Sequence, residues 1–286
     1  MENSLPTREL IRSLTEAGDI SECISLMNSS GFEGSDTDAI IAAMKENKAR
    51  LTAELIEDYD EIAVIFYPRS FHNLKAAIKK LYSKSDADMY YEDAPVSGER
   101  ITNALREGEE HTLPPYMAEA AAEAYRALMR TGDGRLSDML ADKACLEAMK
   151  AFPAKHEILK SYVRETIAAA DIRLALRADA ELMEYAVGCE YFSAAEIARA
   201  ASDGNLDELL QRVGFGEVTA ENIDAVSEKR IADILAREKY NIFSPAPAIN
   251  FILEYDRLIG IIRYILICKA NGIDKEKITG RVSAYV

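Results

Sequence analysis

The stretch from Asn250 to Ile278, NFILEYDRLIGIIRYILICKANGIDKEKI, constrains this chain more than any other. Phe251, Tyr255, Leu258, Ile262, Ile265 and Lys269 recur at alternating four- and three-residue steps and line one face of an α-helix. Ile252, Ile259 and Leu266 widen that face, so most of the helix must be covered by other elements. The run is long enough to cross a bilayer. However, Glu254, Asp256, Arg257 and Arg263 interrupt it, and each charge is costly at a membrane centre. The pattern therefore predicts a buried helix, not a span. A second face carries Asp256, Gly260, Arg263 and Ile267. Glycine costs about 1 kcal/mol relative to alanine inside a helix. Gly260 thus predicts close approach of another backbone, or room for a neighbouring long side chain. Asn271-Gly272 ends the helix, and Asp274 caps a short one with Ile278 four residues on.

Helical spacing continues upstream, and Ala, Glu, Leu and Ile dominate, so the fold class is all-α. Thr7 is an expected N-cap, with Gly18-Asp19 dividing two short helices, and a long helix follows over about Asp38 to Tyr59. Ile62 to Tyr67 has strand propensity, but its surroundings predict buried helix. Further helices are expected to Ser83, from Ser97 to Gly108, and from Pro115 to a break at Thr131–Gly134. Others follow over His156 to about Val187, Ser193 to Gly204 with a capping-box Glu196, Leu206 to Val213, and Ala220 to Glu238.

A pattern recurs along this series. Thr7, Ser97, Ser193 and Asp274 each precede an isoleucine by four residues: Ile11, Ile101, Ile197 and Ile278. The first three reach a glycine eleven residues on, at Gly18, Gly108 and Gly204. Three long helices carry an apolar-basic pair, at Leu74-Lys75, Ile172-Arg173 and Ile262-Arg263. The repeat is about 80–100 residues. It divides the chain into residues 1–96, 97–192 and 193–286.

The chemistry is more easily excluded than assigned. A net charge of −15 argues against nucleic acid and anionic lipid as direct partners. It fits a solvated surface, or an acidic face meeting a basic protein. Cys23, Cys145, Cys189 and Cys268 are far apart and read as small buried hydrophobes in a reducing compartment. Met1-Glu2-Asn3-Ser4 lacks a charged n-region and an apolar run, so a soluble intracellular chain is expected. No phosphate-binding glycine motif is present, and His72, His111 and His156 have no metal-ligand spacing. No catalytic, cofactor or metal residue is expected.

Four stretches, LPTRELIRSLTEAGDISECISLM, FHNLKAAIKKLYS, SYVRETIAAADIRLALRA and PAINFILEYDRLIGIIRYILICKANGIDKEKI, carry a resemblance. In this order they resemble the C subunit of A/V-type rotary ATPases, called the d subunit in the eukaryotic enzyme. The resemblance implies a funnel-like body of three similar helical domains with pseudo-threefold arrangement. It also implies a non-catalytic, cytoplasmic and peripheral role in ion-transport-coupled ATP synthesis or hydrolysis. The partners implied are the central-stalk subunits and the proteolipid ring, with membrane contact only through the ring. The family usually begins with an additional helix before the segment matched by Leu5-Pro6-Thr7. That helix is missing here: either the gene starts further upstream or this copy is shortened, which bears on the packing of the first domain.

Desolvated Lys75, Arg173 and Arg263 need carboxylates or free carbonyls. They are either paired within the chain, or snorkel, or line the socket for the stalk. The locally basic Lys269, Lys275, Lys277 and Arg281 are candidates for the ring-facing surface, with a solvated helix face as the other reading. Apart from the rotary role, the pattern also suits a helical-repeat scaffold binding some other protein.

Overall fold

A computed structural model of the chain describes residues 5–56, 59–84, 89–177, 179–238, 240–241 and 243–282. The described residues are helical, with no strand among them. In chain order they form α1 (Arg8–Glu16), α2 (Ile20–Ser29), α3 (Thr37–Leu55), α4 (Tyr59–Ile62), α5 (Tyr67–Ser83), α6 (Gly98–Glu107) and α7 (Pro115–Thr131). There follow α8 (Gly134–Ala151), α9 (Glu157–Ala175), α10 (Ala194–Asp203), α11 (Leu206–Arg212), α12 (Ile223–Arg237), α13 (Ala246–Ala270) and α14 (Lys275–Val282). Ala63–Phe66 is a 3-10 turn leading into α5. The segment that reads as strand by propensity is thus buried helical structure, because Val64, Ile65 and Phe66 pack inward all round. The chain forms two compact units, residues 1–57 with 246–286, and residues 58–245.

In the first unit, α13 is the central element and packs on α1, α2, α3 and α14. Phe251, Tyr255, Leu258, Ile262 and Ile265 are all buried, as the spacing predicts. Burying side chains of this size stabilises by about 1.5–3 kcal/mol each. Gly260 differs from expectation. It is exposed, and a Cβ there would meet nothing within 4 Å, so no backbone or long side chain needs the space. Thr7 caps α1 by accepting Leu10 N at 3.1 Å, and Gly272, at φ +63°, ends α13. Lys269 donates to the carbonyls of Thr15 (2.9 Å) and Ala17, placing a cation on the C-terminal carbonyls of α1.

The second unit holds two further long helices, each packed on a short capped helix. Helix α5 packs against α8 and α6, and α9 packs against α12 and α10. The short capped helices bury their isoleucines completely, Ile101 and Ile197 both at 0% exposure. Gly108 and Gly204 close α6 and α10 in the left-handed conformation, donating to Ala104 O and Ala200 O. Ser193 and Glu196 form the expected capping box. One expected helix is too long. The run from His156 to Val187 ends as α9 at Ala175, and a 3-10 turn over Ala180–Tyr185 follows. The cause is tertiary. Buried Asp171 accepts Val187 N at 3.0 Å and Gly188 N at 2.7 Å, which pins the chain back along α9. Gly188 (φ +71°) is required, since a Cβ would come within 2.5 Å of Ala194 N.

Candidate functional site

The three predicted basic positions come from the same place in the three long helices. Leu74, Ile172 and Ile262, each one residue earlier, are all 0% exposed. The packed apolar neighbour turns each basic side chain toward the antiparallel helix beside it. Lys75 of α5 meets Asp142 of α8 at 2.5 Å, and Arg173 of α9 meets Asp224 of α12 at 2.5 Å. Arg263 of α13 reaches Asp38 of α3 at 3.9 Å. The basic side chains keep 24%, 42% and 52% of their surface exposed, in that order. Each candidate is therefore paired within the chain and also partly open to solvent. Coupling of this kind contributes about 0–1 kcal/mol at a surface, so the pairs orient the side chains more than they hold the fold.

A second interaction lies deeper in two of the helix pairs, and sequence reasoning did not find it. In α9, Glu165 (1% exposed side chain) accepts Arg230 Nε of α12 at 2.6 Å and also the Tyr191 hydroxyl. Arg230 continues to Gly214 O at 2.7 Å, and its guanidinium stands 4.0 Å from the Phe215 ring centroid. Burial is the largest single influence on the Arg230 pKa and lowers it, but the hydrogen bonds and charges of Glu165 and Tyr191 together outweigh it and the net direction is up. In α13, Asp256 holds the buried Lys48 of α3 at 2.5 Å, while Asn47 donates to the Tyr255 hydroxyl at 2.8 Å. At the matching level of α5 the contact is aromatic: Tyr67 meets Phe152 edge-on at 6.0 Å and stacks on Tyr116 at 4.2 Å. An acid eight or seven residues before the basic residue, at Glu165 and Asp256, was the signal available in the sequence.

A third recurring device lies two residues before the basic position. Asn73 and Asp171 are both 0% exposed. Asn73 donates to Tyr91 O (2.9 Å) and Val96 O (3.1 Å) and accepts Tyr91 N at 2.7 Å. Asp171 performs the corresponding task for Val187 and Gly188. Burial pushes the Asp171 carboxyl above its ordinary range, against the two backbone N–H bonds that favour its charge. In α13 the matching residue is Ile261, which is buried.

The second predicted cluster divides. Lys269 is committed to the end of α1, and Lys275 pairs with Glu16, whose carboxyl that hydrogen bond holds below its usual range. Lys277 is exposed on α14. The side chain of Arg281 lies outside the described residues. Cys23, Cys145 and Cys268 are buried and Cys189 half-buried, and burial pushes the Cys23 thiol up to about 11. Among the described residues no group of three or more His, Cys, Asp or Glu could hold a metal ion. No described helix is long and apolar enough to cross a membrane.

The family model described as the ATP synthase (C/AC39) subunit matches residues 1–281. The chain belongs to that family. No curated protein matches it. Membership is thus that of a V-type ATP synthase C/AC39 subunit, and a scaffold unrelated to the ATPase is set aside.

Proposed function

We propose that this family member is a non-catalytic coupling subunit, linking the central rotor stalk to the proteolipid ring during ion-transport-coupled ATP synthesis or hydrolysis. The observation that carries the reading is family membership over nearly the whole chain. Three matched antiparallel helix pairs support it: α5 with α8, α9 with α12, and α13 with α3. Transmitting torque needs stiff walls, and long helices packed at crystal-like density and cross-linked by buried ion pairs supply stiffness. Residues 1–96, 97–192 and 193–286 are the repeating units in sequence. Packing joins each long helix to the short capped helix that opens the following unit, or, for α13, to α1 at the chain's start.

In this reading Lys75 and Arg173 in one unit, and Arg263 in the other, each meet the stalk, and their aspartates exchange with carboxylates of the partner. Lys277 and Arg281, with Lys269 and Lys275 fixing the local backbone, face the polar loops of the ring. Membrane contact is through the ring alone, on the cytoplasmic side. The test is calorimetric titration of central-stalk subunits into the intact chain and into Arg263→Ala. That pair is surface-exposed, so thermal stability should change by less than about 1 kcal/mol while stalk affinity falls. Equal affinity of the two proteins for the stalk would remove Arg263 from the interface.

A further inference from the structure

Helix α13 covers nearly all of its surface, and what it leaves open is a single line. Of its 25 residues, Gly260, Arg263, Ile267 and Ala270 alone are exposed, at steps of three, four and three. Half-buried Asp256, four residues before Gly260, begins the line and is tied to Lys48 of α3. Alternating steps of four and three are the spacing at which one helix presents a seam to another. Leu253, Ile259 and Tyr264, which flank the line, are half-buried, so the open strip is narrow. A strip of that width suits a single helix and not the broad face of a globular domain.

Packing within the first unit explains none of three features along this line. A Cβ at Gly260 would meet nothing within 4 Å, yet glycine is the poorest helix former after proline. Ile267 keeps 45% of its surface exposed, although Ile265, Leu266 and Cys268 around it are buried. Arg263, between the two, reaches Asp38 at 3.9 Å, beyond hydrogen-bond length, and the Asp38 side chain is itself 91% exposed.

We infer that the line from Gly260 to Ala270 is the seat of one acidic, amphipathic α-helix of a partner protein. That helix places a bulky apolar side chain over Gly260, further apolar surface on Ile267 and Ala270, and a carboxylate on Arg263. The missing side chain at Gly260 and the small one at Ala270 let the two helix axes approach to about 8–10 Å. On a chain of net charge −15, an open arginine in the middle of the seam favours an acidic helix over a basic one. That the helix belongs to the central stalk rests on the coupling role proposed above; the line it occupies rests on the geometry of α13 itself.

The experiment titrates purified central-stalk subunits into the full chain and into three variants: Gly260→Leu, Ile267→Glu and, as a control at an exposed position of α12, Ala232→Leu. Leucine at position 260 enters open space and favours helix, so this variant should melt about 2–4 °C higher. It should nevertheless bind the stalk roughly tenfold more weakly, or worse, because the seat is filled. Higher stability with lower affinity is a combination that a purely structural role for Gly260 does not produce. Ile267→Glu, on an exposed side chain, should melt like the unaltered chain and bind with a similar loss, and it keeps the test decisive if Gly260→Leu fails to fold. Ala232→Leu should bind as the unaltered chain does. Undiminished affinity of Gly260→Leu or Ile267→Glu, or an equal loss in Ala232→Leu, overturns the inference and leaves the coupling role standing. Failure of the unaltered chain to bind the stalk overturns both.

Discussion

Replacing Asp171 by alanine tests whether a single buried carboxylate sets the end of α9. Asp171 is fully buried and accepts two backbone N–H groups, from Val187 at 3.0 Å and Gly188 at 2.7 Å. A hydrogen bond to a charged group contributes about 1.5–3 kcal/mol, and an unsatisfied buried donor costs about 1–3 kcal/mol. Gly188 is buried, whereas half-buried Val187 can recover a bond to water. The net loss is therefore about 3–4 kcal/mol, one charged bond of about 2 kcal/mol plus about 1–2 kcal/mol for the buried Gly188 N–H left without an acceptor. At about 1.4 kcal/mol per tenfold, local opening becomes roughly 10²–10³ times more frequent. Amide hydrogen exchange reads this directly, with Val187 and Gly188 accelerated by that factor. The amides of residues 89–96, held by Asn73, should be unchanged. Asp171→Asn keeps one acceptor but turns an NH₂ toward the other N–H, so it should fall between the two. Unchanged exchange at Val187 and Gly188 in Asp171→Ala would refute the reasoning, and so would equal acceleration over residues 89–96.

Two further outcomes follow from the same structure. Arg230→Ala leaves Glu165 charged and buried, so it should lower stability by about 3–5 kcal/mol; the double change Glu165→Met with Arg230→Met should lower it less, as read by urea denaturation. Glu196 has its carboxyl held low by the Ser193 backbone N–H and then by the Ser193 hydroxyl. Its folded pKa is depressed, so its contribution is present above the unfolded value of about 4.3 and is lost as pH falls through the lower folded value. Exchange of the Ser193 amide, corrected for intrinsic chemistry, should accelerate in that acid window, and Glu196→Gln should abolish the transition.

The local code of this chain was legible because it is carried by neighbours in sequence. Thr7, Ser97 and Ser193 cap helices, and the isoleucine four residues on is buried each time, since one helical turn links the two. The face of α13 was equally plain. The partners of Lys75, Arg173 and Arg263 were not, because Asp142, Asp224 and Asp38 lie far away in the chain among 49 acidic residues. The end of α9 was misplaced for a related reason. Residues 176–186 are rich in Ala, Leu and Glu, which favour helix, and only the distant grip of Asp171 on Gly188 overrides that propensity. At Gly260 the cost of a helical glycine suggests a close approach, yet the residue stands in open space on α13.

The coupling role itself is tested most directly by mixing the intact chain with purified central-stalk subunits and detergent-solubilised proteolipid ring, followed by size-exclusion chromatography of all pairwise and three-way mixtures. The account predicts that stalk and ring each co-elute with this chain, and that all three elute together only when it is present. Elution of the chain apart from both partners, or displacement of the stalk by the ring, would contradict it.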